Sequence, residues 1–446
     1  MKGFLLAGTR SGIGKTTVSM GLMAAFENVS PYKVGPDYID PSFHEFVTGN
    51  RSYNLDLFLM GEEGVKYSFY SHHKGISIVE GVMGLYDGLG NDLNNYSSAH
   101  LSKVLSLPVI LVVDAIGKST SIAAEVLGYK LLDPEVNIAG IIINRVSSEK
   151  LYSMLKEAVE KYTGIKCLGY LKKDESLNIG SRHLGLLQAD EVGDLREKIE
   201  HLKNEIKKTV DLAEIYRIAN YKVKDYENPF SKFENKYLGI KMGIARDSSF
   251  SFYYKDNIEL LEKMGIEIVE FSPMRDEKIP ENIDILYFGG GYPETYGEIL
   301  SENKSFLDSL RNFHENGGFI YGECGGFMYL TREIKELDDK SYPMAGLIDC
   351  SVKMGKSLQI TRFGYVDVEY KSLRGKAHEF HYSRIDEEGE VEKDFILKKI
   401  DGRQWNCGYR NKNLLGGYPH LHFYGSIEIL IDILEGVKNG IHKKTS

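Results

Sequence analysis

The residues near the start of the chain best suited to chemistry lie in GTRSGIGKTT, Gly8 to Thr17, directly after an apolar run and ahead of the helical text VSMGLMAAF. A loop so placed can cradle phosphate, because glycines let backbone N–H groups turn inward and the following helix N-terminus adds its dipole. In this reading Gly8, Thr9, Gly12, Gly14 and Thr17 shape the cradle for ATP, Lys15 reaches the β and γ phosphates, and Thr16 coordinates Mg2+. Five residues rather than the usual four separate Gly8 from Gly14. IVEGVMGLYDG puts Glu80 at the tip of an apolar strand, where it can hold Mg2+ directly or through water. KVGPDYIDP sets Asp37 and Asp40 after a short apolar segment, as carboxylates for metal binding or proton transfer at the substrate. The alternative there is a Pro-initiated turn with Asp caps. Asn144 ends the strand IAGIIIN and can either offer its amide to adenine at the sheet's carboxyl edge or cap a loop.

A second constellation occupies the other half of the chain. FIYGECGGFMYL reads as strand, sharp turn and helix, with Cys324 at the corner. A thiol raised on such an elbow is exposed, has its pKa lowered by the helix N-terminus, and finds the Gly325 N–H beside it for an oxyanion. A lone cysteine is more often buried and inert, so two further features matter. GGGYPETY, 289 to 296, follows the strand IDILYF and can supply a second oxyanion N–H at Gly290, while GYPHLHFYG offers His420 as a base. Residues two apart on a strand share a face, so His422 is expected to orient His420 as the third member of a triad.

The elements that must carry these groups follow from periodicity. Short, β-branched, unalternating runs at Phe4 to Ala7, Ile76 to Val79, Val109 to Val113 and Ile138 to Ile143 predict parallel strands covered by helices on both faces. A second series runs through Ile240 to Ala245, Ile266 to Phe271, Ile283 to Phe288 and Phe319 to Tyr321. Beyond Arg362 the alternating text FGYVDVEY predicts antiparallel strands added to that second sheet. The fold class is therefore α/β in two domains: a doubly wound parallel sheet over 1–220 and a second α/β sheet over 238–446. Between them, 221–237 reads as a linker, with seven charged residues in seventeen, Pro229, and little to contribute to a core.

With 446 residues, 42% of them hydrophobic, two cores of ordinary size are affordable. The net charge of −9 and the lack of any polybasic block argue against nucleic acid as a partner. The longest aliphatic run, Leu107 to Val113, contains Pro108 and falls far short of the ~20 residues of a membrane helix. About five apolar residues before Gly8 are too few for a signal-peptide core, and four scattered cysteines without a C-x-x-C fit a reducing cytoplasm.

The order GTRSGIGKTT, KVGPDYIDP, EGVMGLYDG, VILVVDA, IINRV, SRHLGL, ARDSSFSFYY, FGGGYPE, YGECGGFMYL, HEFHYS and YPHLHF resembles the cobyrinic acid a,c-diamide synthase family along nearly the whole chain. That resemblance implies a dethiobiotin-synthetase-like ATPase domain, which shares the five-residue phosphate loop spacing, fused to a class I glutaminase domain. It implies glutamine-dependent, ATP-driven amidation of two acetate carboxylates on a corrin macrocycle, with Cys324, His420 and His422 catalytic. The H-x-H ending departs from the H-x-E of many class I glutaminases. The same chemistry on another tetrapyrrole, such as nickel sirohydrochlorin or a cobyric acid synthase substrate, is the alternative; a remoter one is an ATP-switched binding protein with a degenerate glutaminase domain. The oligomeric state stays open, a homodimer included, and HEFHYS (His378 to Ser383) has no assigned role at this stage.

Overall fold

The computed structural model describes residues 1–174, 176 and 194–445, so SRHLGL at 181–186 lies outside the described residues. The chain forms two compact units: Met1–Leu57 with Gly61–Asn228, and Pro229–Ser446 with Phe58–Met60.

In the first unit β1 (Lys2–Gly8), β2 (Val29–Val34), β3 (Tyr53–Leu55), β4 (Ile76–Glu80), β5 (Val109–Asp114), β6 (Ile138–Val146) and β7 (Cys167–Lys172) make one parallel sheet. The order is β3-β2-β4-β1-β5-β6-β7. Phe4, Leu5, Leu6, Ile78, Val79 and Val112 are all fully buried, so both faces of the centre are covered and the apolar runs need not alternate. β2 escapes the apolar-run reading because VSPYKV carries Ser30, Pro31 and Lys33, although all six residues are buried. The order brings the carboxyl ends of β1, β4 and β5 together, which is where ligands of open α/β sheets bind. The charged text from Glu191 onward yields helices Leu195–Thr209 and Leu212–Ile218, interrupted at Val210.

The second unit continues with β8 (Lys241–Ala245), β9 (Glu267–Phe271), β10 (Ile285–Phe288), β11 (Phe319–Glu323), β12 (Glu333–Lys335), β13 (Ser341–Pro343) and β14 (Cys350–Lys353). Then follow β15 (Gly364–Tyr370), β16 (Leu373–Glu379), β17 (Arg384–Glu388), β18 (Glu392–Lys398), β19 (Gln404–Asn411), β20 (Leu414–Gly417) and β21 (His420–Leu421). Ten of them form a mixed sheet ordered β21-β16-β15-β18-β19-β20-β11-β10-β8-β9, parallel from β20 to β9 and antiparallel beyond. FGYVDVEY is β15, joined as expected to that sheet. Four short strands, ordered β13-β12-β14-β17, make a separate sheet. The large sheet curls back on itself: the Leu421 N–H of edge strand β21 donates to Glu323 at the end of β11.

The division between the units falls between Asn228 and Pro229, inside 221–237. That segment is not the core-poor tether expected. Tyr221 is buried in the first unit, its hydroxyl 3.3 Å from His73 Nδ1, and Phe230, Phe233 and Tyr237 are buried in the second. Counting charges conceals this, because the charged side chains stay in water while the intervening rings turn inward.

Candidate active site

The loop after β1 folds as a cradle. Gly12 and Gly14 adopt φ of +70° and +93°, conformations that side chains rarely take. At Gly14 a Cβ would also lie 2.3 Å from Asn144 Nδ2. Lys15 folds back over the loop, its Nζ donating to the Met83 and Arg10 carbonyls. Burial, reinforced by Lys33 and opposed by Glu80, lowers its pKa to about 8. A triphosphate would supply the missing negative charge and hold this ammonium protonated.

Thr16 Oγ1 donates to Glu80 Oε1 at 2.7 Å, so the loop and the tip of β4 meet as expected. Glu80 is fully buried and also accepts from Lys33 Nζ at 3.0 Å, from Ser19 Oγ, and from His44 Nε2 at 2.8 Å. Burial alone would raise its pKa, but Lys33 and the His44 and Ser19 hydrogen bonds together hold it well below the usual carboxylate range. Lys33 also pairs with Asp40, which burial pushes up against the pull of Lys33. Asp37 caps a helix: its Oδ1 accepts from the Ile39 and Asp40 N–H groups at 2.7 and 3.1 Å. Asn144, read as an adenine ligand, donates from Nδ2 to the Ile13 carbonyl at 2.8 Å and accepts the Arg145 N–H at Oδ1, so its amide supports the phosphate loop from behind. Arg145, at φ +56°, joins it by bonding the Gly12 carbonyl and Asp114, and Arg10 pairs with the same carboxylate.

In the second unit Cys324 sits between β11 and the helix Gly325–Leu330 at φ +49°, ψ −106°. For a non-glycine residue that conformation costs on the order of 1–3 kcal/mol and persists only where its surroundings enforce it. Here the Cys324 N–H is tied to the Gly417 carbonyl at 2.7 Å and the Gly326 N–H to the Gly289 carbonyl at 2.9 Å. Side chains at 325 and 326 would collide with Gly291 and with the Phe288 carbonyl, so the glycines let the elbow press against the end of β10. Gly290 and Gly325, the proposed oxyanion donors, therefore belong to segments in direct contact.

The thiol itself departs from expectation. It is 7% exposed, and burial pushes its pKa up, with Glu294, Glu379 and Glu323 adding to the effect. A helix of six residues offers little dipole against three carboxylates. A thiol that is neutral at rest needs a base beside it to take its proton. Cys324 Sγ approaches the Phe380 carbonyl at 3.8 Å, and His378 lies directly opposite His420 in the β16–β21 pairing. The HEFHYS segment thus lines this site, a role the sequence left open.

His420 packs against Gly290, where a Cβ would come within 2.4 Å of its Cε1. Burial lowers its pKa to about 3, with His378 and His381 contributing, so at rest it is a neutral base. His422 does not join it through strand alternation, since β21 ends at Leu421. Its ring packs 4.7 Å from Tyr254, and Nδ1 accepts the Tyr424 N–H. The carboxylate beside His420 is Glu323, with Oε2 4.0 Å from Nδ1. An acidic residue closing an apolar strand next to the candidate nucleophile was the available signal for it.

Among the described residues no group of three or more His, Cys, Asp or Glu side chains is arranged to hold a metal alone, and no helix is long and apolar enough to cross a membrane. All four cysteines are free thiols.

Residues 4–187 match the CobQ/CobB/MinD/ParA nucleotide binding domain, and residues 241–426 match the CobB/CobQ-like glutamine amidotransferase domain. The chain is 55% identical to a cobyrinate a,c-diamide synthase of Fusobacterium nucleatum, over 97% of this chain and all of the relative. It is 46% identical to the protein of that name from Clostridium tetani over 98% and 100% of the two chains, and 43% identical to one from Caldanaerobacter subterraneus over 94% and 95%.

Proposed function

The chain belongs to the cobyrinate a,c-diamide synthase family, and from that premise we propose that it converts the a and c acetate carboxylates of cobyrinic acid to amides through acyl phosphates, consuming ATP and glutamine. It is a carbon–nitrogen ligase with glutamine as the nitrogen donor, in cobalamin synthesis. A carboxylate is too poor an electrophile for ammonia, which is the reason to expect activation by phosphate transfer. Lys15 would bind the transferred phosphoryl group, and the loop N–H groups would hold the triphosphate while a substrate carboxylate oxygen attacks phosphorus and ADP departs. Ammonia then attacks the acyl carbon and phosphate leaves.

Mg2+ fits the residues present. Thr16 Oγ1 and the Glu80 carboxylate are hard oxygens side by side at the phosphate loop, and this ion is commonly held by one or two protein oxygens with phosphates and water completing its shell. When bound there it would neutralise charge on the β and γ phosphates. Asp40, paired with Lys33, and Asp37 are the residues proposed to assist metal binding or proton transfer at the substrate.

In the second unit His420 takes the thiol proton as Cys324 Sγ attacks the glutamine amide carbon, and Gly290 and Gly325 N–H groups receive the oxyanion. Collapse passes the proton to the departing ammonia and leaves a glutamyl thioester, which water cleaves to glutamate. The single observation carrying this reading is Cys324 at the strand–helix corner with φ +49°, a strained conformation that sets its sulfur at the turn between β11 and the following helix. A reducing cytoplasm suits a free thiol nucleophile.

ATP consumption is the expected discriminator of a ligase from a switch. With Mg2+ present, ADP formation should rise at least about tenfold when glutamine and cobyrinic acid are both added, since acyl transfer and not simple hydrolysis drives turnover. ADP formation indifferent to both compounds would contradict the proposal.

A further inference from the structure

We propose that Glu323 is the positioning residue of His420, standing where His422 was expected as the third member of the glutaminase set. This rests on reading Cys324 and His420 as the glutaminase pair.

Glu323 ends β11, directly before Cys324, and is 2% exposed. Its carboxylate is held by three donors: the Tyr287 hydroxyl on Oε2 at 2.8 Å, the Tyr321 hydroxyl on Oε1 at 2.8 Å, and the Leu421 N–H on Oε1 at 3.0 Å. The last is the backbone group immediately following His420, so carboxylate and imidazole are tied through one residue. Oε2 stands 4.0 Å from His420 Nδ1, about 1 Å beyond a hydrogen bond, and catalytic contacts of free enzymes often close by such an amount when substrate binds. Gly290 also packs against the ring, leaving no room for a Cβ there. Among the described residues no lysine or arginine is found among the groups that act on Glu323. A carboxylate buried without a cation is costly unless it is used, and the one group beside it that gains positive charge during the reaction is His420.

The function follows from charge. Glu323 facing Nδ1 fixes the tautomer with hydrogen on Nδ1 and the lone pair of Nε2 free for the thiol proton, and its negative charge stabilises the imidazolium that forms. The groups facing Glu323 are Tyr287, Tyr321, Tyr253, Cys324 and His420; those facing His420 are Glu323, His378 and His381. Burial raises Glu323 to about 7 against the Leu421 N–H and the two hydroxyls, so it is ionised above that pH and neutral below it. Glutaminase activity should therefore fall as pH drops through about 7.

The test measures glutamate release by the full chain across neutral pH. Glu323→Gln keeps the size and one acceptor oxygen but loses the charge and the second acceptor. It should lower kcat about 10–100-fold, leave the KM for glutamine and the thermal midpoint unchanged, and abolish the acid limb. Tyr321→Phe, which removes one donor to the carboxylate, should move the limb to higher pH, by about one unit. His420→Ala should lose at least ~10³-fold and His422→Ala less than Glu323→Gln. A Glu323→Gln enzyme with wild-type kcat, or with its acid limb intact, overturns the proposal. Should that variant have a lowered thermal midpoint, an unmoved limb in Tyr321→Phe overturns it instead. Undiminished glutamate release by Cys324→Ala would sink the underlying reading and is seen separately.

Discussion

Cys324→Ala is expected to abolish amidation with glutamine while leaving amidation with concentrated ammonium salts within a few-fold of wild type. Loss of a covalent nucleophile costs about 10⁴-fold or more in enzymes of this kind, and no other cysteine can substitute. Cys167 belongs to the first unit, and Cys350 and Cys407 are buried on strands of the second. Ammonium bypasses the thioester altogether, because the fraction present as ammonia attacks the activated carboxylate directly. Product formation in parallel assays with the two nitrogen sources checks this. A variant equally inactive with ammonium would show that the thiol does more than release nitrogen.

Lys15→Ala should be inactive with both nitrogen sources, by at least about 10³-fold. The alanine variant retains the loop glycines and Thr16 but loses the ammonium that folds back over the loop, the charge proposed to balance the transferring phosphoryl group. Because Lys15 bonds only backbone carbonyls in the structure, its removal leaves no buried carboxylate stranded, and the thermal midpoint should change little. Ammonium-driven synthesis is the cleaner assay, since it does not depend on Cys324. Near-normal synthesis would remove GTRSGIGKTT from catalysis.

The readable parts of the sequence were those where local chain order fixes neighbours. Strand, glycine loop and helix follow one another around Lys15, and the same order surrounds Cys324, so both corners could be located from text. Alternation in FGYVDVEY told its pairing sense directly. What could not be read depends on strands distant in sequence. Glu323 reaches His420 only because the ten-stranded sheet curls until β21 meets β11, nearly a hundred residues away in the chain. His378 faces His420 by register across β16 and β21. His422 misled because the rule that places residues two apart on one face holds within a strand, and this strand stops after two residues. Lys33 and His44 around Glu80 were missed for a related cause: a proline-bearing strand and an amphipathic helix show nothing of the buried carboxylate they converge upon. The exposed, acidic thiol foreseen for Cys324 failed because burial and three carboxylates outweigh one short helix.

The central claim is tested most directly by mass spectrometry of the macrocycle after incubation of the purified chain with ATP, Mg2+ and glutamine labelled at its amide nitrogen. Cobyrinic acid should be converted, through a monoamide, to a product in which two carboxyls have become amides, both carrying the label, with sirohydrochlorin left unchanged beside it. Unlabelled or absent amides on cobyrinic acid, or preferential conversion of sirohydrochlorin, would contradict it.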